Sequence, residues 1–209
     1  MVKICGIRRV QDALMAAEAG ADAIGFIFWP NIPRFIDPFR ARAIAAALPS
    51  LVMTVGVFVD QPADYIGGVA SLVGLTAVQL HGSETPAFAA SLRRPVVKAI
   101  SRSGAAPFAV SAWPSNITVL VDAHDPAKRG GTGVTVDWEA AAEIARKRRV
   151  ILAGGLTPDN VGDAIARVRP YGIDVSSGVE VSPGVKSPER IKALFAAIQA
   201  SDAKHNLTA

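Results

Sequence analysis

Eight short apolar runs, spread along the whole chain, constrain its fold more than any other feature. They fall at 2–5, 23–28, 53–59, 77–80, 96–100, 118–122, 150–153 and 173–176. Each is apolar almost throughout rather than in strict alternation, as strands buried on both faces are. Helix-like segments separate them, so that strands recur at intervals of roughly 20 to 30 residues, the pattern of repeated βα units with a parallel sheet. Several helices have legible ends. One over 11–19 carries Ala13, Leu14 and Ala17 at helical spacing and stops at Gly20. Asp37-Pro38 supplies a capping carboxylate and a first-turn proline to a helix running to Leu48, and Thr157-Pro158 does the same for 159–168. In the last helix Ile191, Leu194, Phe195 and Ile198 follow the i, i+3, i+4, i+7 rule. The fifth connection, 101–114, is the weakest helix and reads largely as loop, and the tail 201–209 reads as disordered.

Eight βα units predict an α/β fold, a single-domain (β/α)8 TIM barrel over 1–200, at the short end of that fold's size range. A doubly wound open sheet would show a Gly-rich dinucleotide fingerprint after its first strand, and Cys5-Gly6-Ile7 is not one. With 209 residues, 50% hydrophobic and 19% charged, the chain has the means to bury a full core. No apolar run approaches the roughly 20 residues of a membrane span, and the opening Met1-Val2-Lys3-Ile4-Cys5 lacks the pattern of a secretory signal. Cys5 is the one cysteine, which rules out an internal disulfide and suits a reducing, cytoplasmic setting. The net charge of +4 is spread along the chain. Its densest run, Arg146-Lys147-Arg148-Arg149, reads as a solvated helix C-terminus, and no aromatics interleave with it, so no nucleic acid is expected as a partner. A mildly basic chain is compatible with a small anionic substrate. The histidines at 81, 124 and 205 show no metal-ligand spacing, and no metal is expected. No apolar helix face argues for a dimer, so a monomer is expected, with a homodimer left open.

Active sites of such barrels are built at the C-terminal ends of the strands. Gly154-Gly155 after the seventh strand and Ser176-Ser177-Gly178 after the eighth form the clearest signal there. Glycines let backbone approach a ligand, N–H groups at helix starts favour phosphate, and these two loops are the fold's usual phosphate site; otherwise they are tight turns. Cys5 ends the first strand, as a reagent or as a small buried hydrophobe, and Lys3 shares its face by strand alternation. Asp122 ends the sixth strand, facing either the site or a salt bridge. Arg129-Gly130-Gly131-Thr132-Gly133 beyond it reads as a lid or a surface loop. Arg34, in a Pro-bounded loop, either pairs with a carboxylate or faces solvent. His81 is an acid/base, a stacking partner or a structural histidine, and Asp174 ends the eighth strand.

Together these segments resemble the phosphoribosylanthranilate isomerases of tryptophan biosynthesis. The resemblance is ordered and nearly full length. It runs through Lys3-Ile4-Cys5-Gly6-Ile7, Gly20-Ala21-Asp22-Ala23-Ile24-Gly25-Phe26 with Pro33-Arg34, Val55-Gly56-Val57-Phe58-Val59 and Val78-Gln79-Leu80-His81-Gly82. It continues through Leu120-Val121-Asp122 with Gly130-Gly131-Thr132-Gly133, Ala153-Gly154-Gly155-Leu156-Thr157-Pro158, and Asp174-Val175-Ser176-Ser177-Gly178-Val179-Glu180 with Pro183-Gly184-Val185-Lys186. It implies an Amadori rearrangement of an aminoaldose phosphate to an aminoketose, with Asp122 as general acid and Cys5 as general base. It further implies that Arg34 holds the anthranilate carboxylate, that Gly154, Gly155, Ser177 and Gly178 hold the phosphate, and that His81 and Asp174 line the substrate site. No cofactor is implied, since the chemistry is proton transfer alone. Two positions depart from the family: Trp29-Pro30-Asn31-Ile32-Pro33 stands where Tyr-Pro-Lys-Ser is common, and Val134 where a Lys is common. Two relatives in the same fold fit less well. The sister isomerase of histidine biosynthesis would carry Asp at the place of Cys5 and show two matched phosphate cups. Indole-3-glycerol phosphate synthase would need a catalytic Lys/Glu set.

Overall fold

The computed structural model describes residues 1–101, 110–122 and 138–206. Strands β1 (Val2–Ile4), β2 (Ala23–Ile27), β3 (Met53–Phe58), β4 (Ala77–Leu80), β5 (Val96–Ser101), β6 (Thr118–Asp122), β7 (Val150–Ala153) and β8 (Gly172–Val175) pair in sequence order, all parallel, and β8 closes on β1. Each expected strand is present, its ends moved by a residue at most. Helices α1 (Val10–Glu18), α2 (Pro38–Ala47), α3 (Ala63–Val73), α4 (Pro86–Ser91), α5 (Trp138–Ala145), α6 (Val161–Val168) and α7 (Pro188–Asn206) complete the βα units. The expected weak fifth connection lies mostly outside the described residues, as do the lid segment 129–133, Val134 and the chain end 207–209.

Strand alternation separates two cores. In β1, Ile4 points outward and packs with Phe26, Phe58, Leu80, Val121 and Leu152 beneath the helices, while Lys3 and Cys5 point into the barrel. A second, smaller cluster inside the barrel joins Ala99, Leu120, Ile151 and Ala153. The strands are thus largely apolar on both faces; among the described residues, β1, β4 and β8 deliver the buried polar side chains Lys3, Gln79 and Asp174 to the interior, and Asp122 ends β6 at the mouth.

Four local details differ from the sequence reading. Asp37 caps α2 as expected, accepting from the backbone N–H groups of Phe39 and Arg40. At α6, however, Thr157-Pro158 forms a turn and the helix begins after Asn160. Asn160 Oδ1 accepts from the Thr157 N–H at 2.8 Å, and its amide donates to the Gly155 carbonyl, so a side chain stabilises the turn that the proline was expected to initiate. Second, α7 runs to Asn206 rather than ending at 200, because no Gly or Pro interrupts it and Ser201 is buried, its hydroxyl donating to the Gly162 carbonyl. Third, a hairpin that strand periodicity does not reveal, β9 (Glu180–Ser182) with β10 (Val185–Lys186), follows a single 3-10 turn at Ser177–Val179.

Fourth, the basic run after α5 is not uniformly solvated. Arg148 reaches back across the β5–β6 connection and donates to the carbonyls of Val110, Trp113, Pro114 and Ile117. Partial burial lowers its pKa, which the cluster of carbonyl dipoles tolerates in place of water. Removing it leaves several carbonyls unpaired, and hydrogen bonds to a charged group are worth about 1.5–3 kcal/mol. Arg148→Ala is expected to lower the melting temperature by roughly 5–10 °C in calorimetry, whereas the exposed neighbour Arg146→Ala leaves it unchanged to about 1 °C. Equal melting of the two variants would show that Arg148 is not an anchor.

Candidate active site at the strand C-termini

The C-terminal mouth of the barrel holds a cavity of about 340 Å³. Cys5, Arg34, His81, Asp122, Gly154, Gly155, Asp174 and Ser177 all line it. Eight of the nine site residues anticipated from sequence therefore converge on one space; Gly178 is displaced, lining an adjoining cavity that shares Gly155 and Ser177 with the first. Cys5 and Asp122 reach the space from strands three steps apart around the ring (β1, β8, β7, β6).

Cys5 stands beside a buried ion pair. Lys3 is 2% exposed and its Nζ donates to both oxygens of Asp174, at 2.9 and 3.0 Å. The two residues are 171 positions apart in sequence, and the β1–β8 register sets them opposite each other. Lys3 and Cys5 fit side by side because β2 presents Gly25 to them. A Cβ there would lie 2.8 Å from Cys5 Sγ and 3.1 Å from Lys3 Cε. Burial pushes the Cys5 thiol pKa above its ordinary value; the nearby Lys3 ammonium opposes this without cancelling it. The Lys3 ammonium is itself held charged: burial alone would lower its pKa, but Asp174 and Cys5 together raise it. A cation beside a buried thiol favours the thiolate whenever a proton leaves, which is what a base on an apolar strand end needs.

Arg34 does not project freely into solvent. Its Nε and Nη2 grip Glu180 in a fork, with contacts of 3.0, 3.1 and 2.7 Å, and its remaining edge lies along the cavity. His81 sits at the mouth with Nδ1 3.2 Å from Gln79 Nε2. Crowding by surrounding atoms lowers its pKa, more than the Asp122 and Asp174 charges raise it. The main chain of the His81 loop is set by Glu84, which accepts from the N–H groups of Asp60 and Gly82 and from Lys98 Nζ.

The two glycine loops meet each other. Gly154 and Gly155 take positive φ, +93° and +64°, conformations that L side chains rarely adopt. Gly178 has an ordinary φ and is needed for space: a Cβ there would lie 1.9 Å from the Leu156 carbonyl oxygen. The 3-10 turn thus presses against the β7 loop, and Gly155 and Ser177, one from each loop, line the same two adjoining cavities.

Residues 2–197 match the protein family described as N-(5'phosphoribosyl)anthranilate (PRA) isomerase. The chain belongs to this family. It is 49% identical over 195 residues to an N-(5'-phosphoribosyl)anthranilate isomerase of Citrifermentans bemidjiense, covering 93% of this chain and 95% of the relative. Among solved structures, the phosphoribosyl anthranilate isomerase of Thermotoga maritima superposes with a TM-score of 0.84 at 40% identity, over 95% of this chain and 98% of that one. Another phosphoribosyl anthranilate isomerase, solved in complex with reduced 1-(o-carboxyphenylamino)-1-deoxyribulose 5-phosphate, gives 0.82 at 38% identity over 95% and 98% of the two chains. For a PRA isomerase family member, the residues that sequence reasoning missed are Glu180, Lys186 and Gln79, all buried at this mouth. A signal for the first two was present, since an acidic and a basic residue flank the turn-forming Pro183-Gly184 in an otherwise apolar stretch.

Proposed function

We propose that this chain catalyses the Amadori rearrangement of N-(5-phosphoribosyl)anthranilate to 1-(2-carboxyphenylamino)-1-deoxyribulose 5-phosphate, in the tryptophan branch of cytoplasmic amino-acid biosynthesis. The observation that carries the reading is that Cys5 and Asp122 open on one cavity, with the glycine loops on one rim and Arg34 on another. Asp122 donates a proton to the furanose ring oxygen. The C1–O bond breaks and the nitrogen lone pair forms a C1=N iminium. That cation acidifies the C2–H bond, and Cys5 as thiolate removes the proton. The electrons of the C–H bond become the C1=C2 bond of an enolamine, which gains a proton at C1 and loses one from the C2 hydroxyl to give the ketone. The reaction asks acid and base to begin in opposite protonation states, and the Lys3 ammonium beside Cys5 works toward the thiolate against the effect of burial. Lys3 steadies the thiolate. The N–H groups of Gly155, Ser177 and Gly178 hold the phosphate, Arg34 holds the carboxylate, and His81 and Asp174 line the sugar.

Loss of anthranilate fluorescence on adding purified protein to freshly generated substrate tests the reaction. Acid and base together give kcat/KM a two-limbed pH profile, and because the thiol pKa lies above its ordinary value, the limb that belongs to Cys5 is expected above the usual thiol range. Cys5→Asp moves that limb down toward the carboxylate range, whatever its effect on the maximum. A profile with both limbs in place in Cys5→Asp assigns them to other groups. Unchanged fluorescence at every pH would leave a barrel that binds a phosphorylated ligand without turning it over.

A further inference from the structure

Glu180 and Lys186 have no part in the proton transfers above, yet they form the most completely bonded charged group at the mouth. Lys186 is 1% exposed, and all three of its ammonium hydrogens are used. Nζ donates to the Cys5 carbonyl at 2.6 Å, to the Ser176 carbonyl at 3.1 Å and to Glu180 Oε1 at 2.8 Å. One ammonium therefore ties the end of β1, the end of β8 and the Glu180 carboxylate. The β9–β10 hairpin brings it there, since Lys186 and Glu180 are cross-strand partners in its register. Glu180, 5% exposed, then takes Arg34 on its other side. Among the described residues, Nη1 of Arg34 has no hydrogen-bond partner, and Arg34 lies on the cavity wall.

We propose that Glu180, braced by Lys186, is a positioning residue for substrate selection: it fixes the direction in which Arg34 presents its free edge, and so governs preference for a ligand bearing a carboxylate beside the sugar phosphate. The physical reason is geometric. A guanidinium is a rigid planar fork, so seizing one edge sets where the other edge points. Without the Glu180 charge, Arg34 and Lys186 lose the anion between them, and Arg34, the more exposed of the two, turns away to water. The buried carboxylate stays ionised between them: burial raises its pKa, but the bonds to Arg34 and Lys186 outweigh this and lower it. Lys186 in turn prevents Glu180 from following Arg34 into the cavity.

This rests on the reading that Arg34 holds a carboxylate, and the test separates the two. Two probes are titrated calorimetrically into the full chain: reduced 1-(o-carboxyphenylamino)-1-deoxyribulose 5-phosphate, and its phenylamino counterpart lacking the carboxyl group. Glu180→Gln, which keeps shape and removes charge, is expected to weaken the carboxylated probe by about tenfold or more, and the counterpart hardly at all. A purely structural role would weaken both alike, and equal losses overturn the proposal, as does no loss. Arg34→Met is run in parallel. If it too fails to distinguish the probes, the carboxylate reading of Arg34 has failed, whereas discrimination by Arg34→Met but not by Glu180→Gln overturns the role of Glu180 alone. Should Glu180→Gln not fold, Glu180→Asp keeps the charge while withdrawing it by one methylene from two cations it must hold at once. The same selective loss is then expected, and equal losses on both probes overturn the proposal.

Discussion

Cys5→Ala and Asp122→Asn each lower kcat by about 10³- to 10⁴-fold, or about 4–5.5 kcal/mol of transition-state stabilisation, while leaving the fold and the affinity for a phosphorylated ligand near those of the parent chain. The size follows from what each group supplies. Opening the sugar ring without an acid asks the ring oxygen to leave as an alkoxide, and removing the C2 proton without a base leaves only water to accept it. The sparing of the fold follows from the packing. Cys5 touches Ile27 and Val57 at the cavity wall, and replacing it by Ala removes a single heavy atom at a cost of about 1 kcal/mol. Asn is close to isosteric with Asp. The phosphate loops lie on β7 and β8 and the mutated side chains on β1 and β6, so neither substitution reaches them directly. The double variant falls little below the worse single variant, because acid and base serve one sequence of proton transfers and their effects do not add. Single-turnover fluorescence measures the chemical step apart from product release. Full parental kcat in either single variant removes that residue from the acid/base pair.

Gly178→Ala is expected to be the most damaging small substitution at the phosphate end. The added methyl group meets the Leu156 carbonyl oxygen at 1.9 Å, its carbon at 2.9 Å and Thr157 Cα at 3.1 Å, all main-chain atoms. No rotamer change relieves the clash, so the β7 and β8 loops must separate. Overpacking costs typically about 1–3 kcal/mol, and a backbone-on-backbone case belongs at the upper end, which corresponds to a fall in melting temperature of roughly 6–12 °C in a domain of this size. Separating the loops also spreads the N–H groups that converge on the phosphate, so KM should rise by about tenfold or more with kcat less affected. Gly155→Ala makes a useful contrast. Its difficulty is conformational, a φ of +64°, and costs about 1–2 kcal/mol. A Gly178→Ala variant that melts with the parent and keeps its KM would mean that the two loops are not pressed together in solution.

Much of the frame was legible because it rests on local chemistry. Strand positions follow from apolar runs, the start of α2 from Asp37-Pro38, and the convergence of Cys5, Asp122 and the glycine loops from the rule that strand C-termini share one mouth. The errors fall where a distant partner decided. Arg148 read as a solvated helix end because the four carbonyls it meets lie in another βα unit. The tail read as disordered because its composition is polar, while α7 continues through 201–206, with the Ser201 hydroxyl bonded to the Gly162 carbonyl. The start of α6 was misplaced because Asn160 bonds back to Thr157 and Gly155, holding the turn open by one side chain.

The tripeptide at the end of β1 shows the division most clearly. Lys3-Ile4-Cys5 by itself determines a strand whose odd positions share a face, and so places a lysine next to a cysteine. That follows from the two-residue repeat of a β-strand and needs no other part of the molecule. Only tertiary pairing does the rest: β2 beside β1 puts Gly25 in the space next to Cys5, and ring closure brings Asp174 from β8 onto Lys3 and Lys186 from the following hairpin onto the Cys5 carbonyl. Those contacts span up to 181 positions in sequence. Which residues a chain buries is written in local periodicity, but which buried charges meet depends on register and closure, and these set the protonation of Cys5 and the direction of Arg34.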